Sequence, residues 1–403
     1  MKETPFGIIP SKWKVDKIVN VTDVVTDYVA NGSFKSLADN VQYEDHEDST
    51  ILIRLVDYNN DFQGNFVYVN DHAYEFLSKS KLFGGEIIIS NVGANVGTVF
   101  RCPYLNKKMT LGPNSIVVKF KEDNDFYFYW LKSPAGQHML HSIVTGSAQP
   151  KFNKTNFRNM LVPVPPKTEQ VRIAAILSSL DAKIDENKKI NKNLFQQAQA
   201  LYKDRFVDLQ PFDGLMPTDW HLGTVSEIIE LHDSKRIPLS SRERANLAKI
   251  YPYYGATSVM DYVDRYLFDG IYLLLGEDGT VVDDKGFPIL QYVEGKFWVN
   301  NHAHIITGKN GFTVETLYLL FSVTNVQSIV TGAVQPKISQ ANLNKVPVVI
   351  PSKAELSDFD SIVQPIFAQI RNLRAENDRL ATTRDTLLPR LMSGELDVSD
   401  LDL

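Results

Sequence analysis

The residues of this 403-residue chain with types and spacing suited to chemistry are few and scattered. His302 and His304 stand two apart and would share one face of a strand as metal ligands. No third ligand is nearby in sequence, so they read as buried or polar-paired histidines. Glu186-Asn187-Lys188 mimics part of a nuclease carboxylate–lysine pair, but it lies in a long charged helical segment and reads as solvated charge. Pro165-Pro166 is the only Pro-Pro, between Val164 and Lys167. A loop gripping a flipped base for amino methylation needs Asn or Asp before such a pair and an aromatic after it. Gly93 to Gly97 and Gly276 to Gly279 lack dinucleotide-loop spacing, and no Gly-x4-Gly-Lys-Ser/Thr loop exists. No nucleophile–base set is present. The chain reads as non-catalytic, so its polar loops are expected to recognise something without transforming it.

The elements that position those loops come twice. Ser142-Ile143-Val144-Thr145-Gly146 returns as Ser328-Ile329-Val330-Thr331-Gly332, an offset of 186. The same offset carries Gln149-Pro150-Lys151 to Gln335-Pro336-Lys337, Pro165 to Pro351, Glu169 to Glu355, Asn191 to Asn377 and Leu201 to Leu387. Each half opens alike, with Pro10-Ser11-Lys12-Trp13 answered by Pro217-Thr218-Asp219-Trp220. Two like halves can place two like binding surfaces about a pseudo-twofold axis, which suits a partner made of two half-sites.

The order along the chain is globule, long helix, globule, long helix. Short apolar runs such as Ile51-Leu52-Ile53, Phe66 to Val69, Ile87-Ile88-Ile89 and Ile116-Val117-Val118 predict strands, and Asp125 to Leu131 a helix. In the second globule Ile271 to Leu275 and Ala303 to Ile306 predict strands. We place a first domain at 1–165, a first helix at 166–208, a second domain at 209–351, and a second helix with a C-terminal tail at 352–403. In the first helix the positions spaced alternately four and three apart are Ile173, Leu177, Leu180, Ile184, Asn187, Asn191, Leu194, Ala198, Leu201 and Arg205. Their counterparts are Phe359, Val363, Ile366, Ile370, Leu373, Asn377, Leu380, Arg384, Leu387 and Leu391. That spacing is a coiled-coil seam, and about 35 residues make a rod of roughly 50 Å. The nearest partner for each stripe is the other copy, as an intramolecular antiparallel pair; the alternative is one amphipathic face lying on each globule. Asn191 and Asn377 hold the same repeat position, where a buried Asn pair would penalise slipped registers. Ser352 and Glu355 fit a capping box, and Pro365 predicts a kink or a later helix start near it.

Composition narrows the classes. No apolar run approaches the roughly 20 residues that span a bilayer, and the N-terminal residues lead into no signal region. Cys102 is the only cysteine, which excludes an internal disulfide and fits a cytoplasmic location. The net charge of −6 argues against strong stand-alone nucleic-acid binding.

Two differing globules, each followed by a like helix, resemble the specificity subunit of type I DNA restriction-modification enzymes. The resemblance covers essentially the whole chain. It rests on Trp13 and Trp220, the two Thr-Gly-x-x-Gln-Pro-Lys segments, the run Val162-Pro163-Val164-Pro165-Pro166-Lys167-Thr168-Glu169-Gln170, and Leu387-Leu388-Pro389-Arg390-Leu391-Met392-Ser393-Gly394-Glu395. Leu356 stands where the repeat would put Gln170 again, a departure from the pattern. The resemblance implies an α+β fold: two target-recognition domains joined by two long helices that pair as an antiparallel coiled coil, in a pseudo-twofold circular arrangement. It implies that each domain reads one half of an asymmetric bipartite site in double-stranded DNA and that the helices set the gap. Two methyltransferase subunits would dock on the chain and restriction subunits would join them. This chain itself would bind no cofactor or metal; S-adenosylmethionine, ATP and Mg²⁺ are expected on the partners. The rivals are a specificity subunit of another multi-subunit methylation or restriction system, a nuclease acting alone, and a protein–protein scaffold unconnected to DNA.

For DNA reading the candidates are polar residues on loops. In the first domain they are Lys35, Gly93, Asn95, Thr98, Lys107, Lys108, Asn114 and Lys151. In the second they are Lys235, Arg236, Tyr254, Thr257, Thr280, Asn301, His302 and Lys337. Lys151 and Lys337 are shared by both copies, so they are expected to touch the backbone or hold the fold and not to choose bases.

Overall fold

The computed structural model describes residues 1–332 and 334–399. Ala333, inside the second Thr-Gly-x-x-Gln-Pro-Lys segment, and residues 400–403 of the expected C-terminal tail lie outside the described residues. The chain divides into two compact units: residues 1–185 with 377 onward, and Glu186–Glu376. The division cuts both long helices, so each unit is one head plus a part of each helix.

In the first unit, Lys14–Lys17 pairs antiparallel with Leu161–Val164, tying the two ends of the head together. The main sheet runs Thr22–Asp27, Ser115–Phe120, Ile87–Ser90, Val99–Arg101, with every neighbour antiparallel. A second four-stranded sheet, Val67–Val69, Thr50–Ile53, Lys108–Leu111, Lys81–Leu82, is specific to this head. Helix Asn124–Lys132 starts where the Asp123 carboxylate accepts the Phe126 amide at 2.8 Å. It buries the whole run Phe126 to Leu131 against the main sheet and the start of the first long helix. In the second unit, His221–Thr224 pairs with Pro347–Ile350. A six-stranded sheet there runs Ile229–Leu231, Ala303–Gly308, Phe268–Gly276, Leu290–Val299, Tyr251–Tyr254, Val259–Val263. Helix Val314–Ser322, capped by Thr313, packs among its core residues. The strands expected around Ile51, Phe66, Ile87, Ile116, Ile271 and Ala303 are all present.

The long helices span Lys167–Tyr202 and Lys353–Met392. At 1.5 Å per residue, 36 residues make about 54 Å. Within each unit they run antiparallel. In the first, Arg384 pairs with Asp181 at 2.7 Å and Asn377 Nδ2 lies 3.4 Å from the Ile184 carbonyl. In the second, Asn187 Nδ2 donates to Glu376 at 2.9 Å and Arg205 pairs with Glu355. The α+β class and the antiparallel pairing expected from the sequence are therefore present. Leu177, Ile184, Ile370 and Leu373 are buried, and Leu180, Asn191, Leu194, Ile366, Asn377, Leu380 and Leu387 are part-buried.

Three details differ from the expectation. Leu201 is 41% exposed, and Tyr202 and Phe206 take the buried positions after Ala198. A strict four-three alternation averages 3.5, so it drifts around a helix of 3.6 residues per turn, and the last turn widens to a π-helix at Lys203–Val207. The second helix runs unbroken from Lys353 through Pro365, whose exposed position leaves the carbonyl it displaces on the solvent side. The Ser352 hydroxyl caps the Glu355 amide at 3.3 Å, but the Glu355 carboxylate turns to Arg205, so only half of the capping box forms. The segment from Leu391 to Ser399 returns to the start of the chain within the first unit. Arg172 holds the Ser399 carbonyl, and Leu391, Met392 and Val398 join the core of Trp13. Among the described residues no helix is long and apolar enough to cross a membrane.

Candidate nucleic-acid interface

In each head three chain segments meet at the end of the central strand pair. The Thr-Gly-x-x-Gln-Pro-Lys segment is a tight hairpin: Thr145 and Lys151 exchange backbone hydrogen bonds of 2.8 and 2.9 Å, and Thr331 and Lys337 bonds of 2.9 and 2.7 Å. Gly146 has φ +87°, and a Cβ there would lie 2.9 Å from the Gln149 carbonyl, so the turn requires glycine. Gly332 repeats that conformation at φ +89°.

The hairpin then docks on the loop leaving the central strand. In the first head the Gly93 amide donates to the Pro150 carbonyl at 2.9 Å, and Phe152 donates to Asn91 at 3.1 Å. In the second, Gly279 donates to Pro336 at 3.0 Å and Ile338 to Glu277 at 2.9 Å. A third segment closes the set, with Asn91 donating to the Asn114 carbonyl at 3.0 Å and Glu277 to the His302 carbonyl at 2.8 Å. Bond for bond, the two platforms are the same. The exposed side chains around them differ, Asn95 and Asn114 in one head and Thr280 and Asn301 in the other, while the hairpin lysines Lys151 and Lys337 are shared.

The structure thus brings together Gly93, Asn95, Thr98, Asn114 and Lys151, and likewise Thr280, Asn301, His302 and Lys337. Thr257 joins the second set, because Ala256 of the same turn lies against Gly276. Six candidates belong elsewhere or are otherwise engaged. Lys35 is exposed on helix Phe34–Asn40, a separate element. Lys107 pairs with Glu47 and Lys108 with Asp71, at the edge of the head-specific sheet. Arg236 is 13% exposed and bonded to Glu277 at 2.6 Å and to the Ala303 carbonyl at 2.8 Å, so it is a structural cation. Tyr254 packs edge-on against Phe297 in a satellite core. Lys235 is exposed on the short helix Asp233–Lys235, beside the platform's buried charges.

Beneath the second platform lies a polar network that sequence reasoning missed. Asp233 accepts from His304 Nδ1 at 2.6 Å, the Ile305 amide at 2.9 Å and Gln340 at 2.5 Å. His304 Nε2 faces the Ile338 carbonyl at 2.8 Å, which fastens the hairpin to the sheet. Burial alone would raise the Asp233 carboxyl, but the hydrogen bond and charge of His304 and the donors at Ile305 and Gln340 hold it below its ordinary value. Glu277 behaves alike: burial raises it, and Arg236, the His304 charge and Lys337 bring it down. Groups held low stabilise the fold above their unfolded values and lose that contribution as pH falls through the folded ones. As pH falls below the ordinary aspartate value of 3.8, stability should therefore drop less steeply in Asp233→Asn than in the parent, as measured by urea midpoints across pH.

Asp233, Glu277 and His304 place one ligand atom each within 4.8 Å of the others, a spacing open to a metal ion. Arg236 and Lys337 already supply positive charge there, so the three groups form part of an ion-pair network. His302 pairs with Asp278, which makes both histidines polar-paired, as expected. The first head has a simpler counterpart: buried Asp27 pairs with Lys154 at 2.8 Å, and Lys154 sits 186 before Gln340. Asp27 and Asp233 are 206 apart, so no single offset reveals the match.

Comparison with known proteins agrees with this two-platform design. The profile of the family described as the type I restriction modification DNA specificity domain matches residues 10–196 and again 217–380. The type I restriction enzyme MjaIX specificity subunit of Methanocaldococcus jannaschii is 24% identical over 436 aligned positions, covering 99% of this chain and 97% of that one. The HindI specificity subunit of Haemophilus influenzae is 23% identical over 372 positions, covering 72% and 80%. Among solved structures, the type I restriction-modification S subunit from M. genitalium superposes with a TM-score of 0.53 at 17% identity, covering 97% of this chain and 98% of that one. The fold is shared with that structure. With both heads matched by one profile, the chain belongs to the family of type I restriction-modification DNA specificity subunits.

Proposed function

We propose that this chain chooses the DNA site for a type I restriction-modification complex, each head reading one half of an asymmetric bipartite sequence. The observation that carries this reading is the duplicated platform: one hydrogen-bonded scaffold, built twice, with different side chains on its exposed loops. Shared backbone amides and lysines suit the DNA phosphates, which are alike everywhere; differing side chains suit base edges, which are not. The paired helices would set the gap. Readers related by a twofold commonly sit one turn of DNA apart, roughly 34–36 Å, within the reach of helices of this length. Two methyltransferase subunits would dock on the chain, with restriction subunits beyond them, and those partners would carry S-adenosylmethionine, ATP and Mg²⁺. The chain itself would hold no cofactor and do no bond chemistry.

The charge of −6 sets a condition on this reading. The isolated chain should bind duplex DNA weakly, and tight specific binding should need the methyltransferase subunits, whose surfaces complete the clamp. Within that complex, Lys151→Ala should weaken binding several-fold by the same factor on cognate and unrelated duplexes, as read by fluorescence anisotropy. A loss confined to one half-site would contradict a phosphate role.

A further inference from the structure

Position 91 of the first head and position 277 of the second are the same place in the platform. Each carbonyl there accepts from the residue after the hairpin lysine, and each amide donates to the turn at 114 or 302. The residues differ in kind. Asn91 is neutral; its Nδ2 lies 3.2 Å from the Phe152 carbonyl, and its buried Oδ1 has no hydrogen-bond partner among the described residues. Glu277 is a carboxylate with 13% side-chain exposure, gripped by Arg236 at 2.6 Å on one oxygen and by Lys337 at 3.2 Å on the other. The hairpin lysines consequently differ. Lys337 faces an internal anion, whereas Lys151, also exposed, forms no ion pair among the described residues.

The two sides of Glu277 are not alike. Arg236 is fixed by four acceptors, from Asp233, Glu277, Asn301 and Ala303, so its hold on Glu277 is rigid. Lys337 is 48% exposed on a flexible stem, and a solvent-facing contact of that kind is weak and readily exchanged. A carboxylate facing a lysine ammonium offers the same charge-assisted acceptor as a phosphate oxygen.

We propose that Glu277 stands in for a DNA phosphate at Lys337, so that the second head's hairpin lysine is held in reserve while the first head's is open, and the two heads grip the DNA backbone unequally. This rests on the DNA reading above. A phosphate arriving at Lys337 must displace an anion already in place, so little net charge is neutralised there. At Lys151 the same phosphate neutralises a free cation and releases counterions.

The test measures duplex affinity against salt for the complete complex with its methyltransferase subunits. The variants are Lys151→Ala, Lys337→Ala, Glu277→Gln and the double Glu277→Gln/Lys337→Ala. Each phosphate neutralised adds about 0.9 to the slope of log affinity against log salt. Lys151→Ala should lower that slope by about one, and Lys337→Ala should lose less than half as many fold in affinity. Glu277→Gln should steepen the slope by about one and tighten binding, and the double variant should lose that gain. If Glu277→Gln fails to fold, the two lysine variants, both at exposed positions, decide alone. Equal losses from the two lysines would overturn the proposal and leave the DNA reading standing. A complex that binds no duplex at all would sink both.

Discussion

Arg371→Ala should destabilise the second unit by about 3 kcal/mol, which at a typical slope of about 1–3 kcal/mol per molar urea moves the midpoint by roughly 1 M or more. Arg371, on the second long helix, donates to Glu315 at 3.0 Å and to the Tyr292 hydroxyl at 2.6 Å, and lies 3.5 Å from Glu294. Glu315 is 5% exposed in the first turn of helix Val314–Ser322. Removing its cation leaves a buried carboxylate with only the Tyr292 hydroxyl and Gln364 as donors. Stripping one partner from a buried pair commonly costs 3–5 kcal/mol. The lower end applies because Arg371 keeps 20% exposure and the helix N-terminus favours a negative charge. Arg371→Lys should recover part of the loss. A change below about 1 kcal/mol would show that this ion pair does not fasten helix to head.

Trp13→Ala should cost the first unit about 4 kcal/mol, within the range for emptying a buried indole site. Trp13 is 1% exposed, meets Phe126 edge-on at 6.4 Å, and donates from Nε1 to Glu169 at 2.8 Å. It therefore joins the start of the head to the start of the first long helix, and Gly394 of the returning C-terminal segment closes over its ring. Trp13→Phe should fall between parent and Ala, keeping the packing but not the bond to Glu169. Urea unfolding would read both variants, with Trp130 the tryptophan that remains in the first head; a Phe midpoint equal to the parent's would remove the Glu169 bond from the account, and identical midpoints for Ala and Phe would remove the packing of the ring.

The long-range plan was legible because it is written in local patterns. The 186-residue offset, the apolar stripe and the strand runs each need only near neighbours in sequence, and the structure places the hairpins, sheets and helices accordingly. Where the reading failed, the deciding contact was distant. Lys107 finds Glu47 sixty positions back, and Arg236 finds Glu277 forty-one positions on, so neither lysine nor arginine could be told from a free cation by its neighbours. Leu201 was misplaced by a small drift of helical phase accumulated over many turns. Glu277 was visible only as part of a loop; its meaning depends on Asn91 at the equivalent position and on Lys337 across the hairpin.

The central claim is that the two heads choose two half-sites separately. The most direct measurement maps methylated positions in DNA from cells carrying the complex, first with this chain and then with residues 1–165 replaced by the first head of a relative. The account predicts that one half of the split sequence changes while the other half and the gap between them persist. A recognition sequence that is not split, or one that changes in both halves at once, would contradict it.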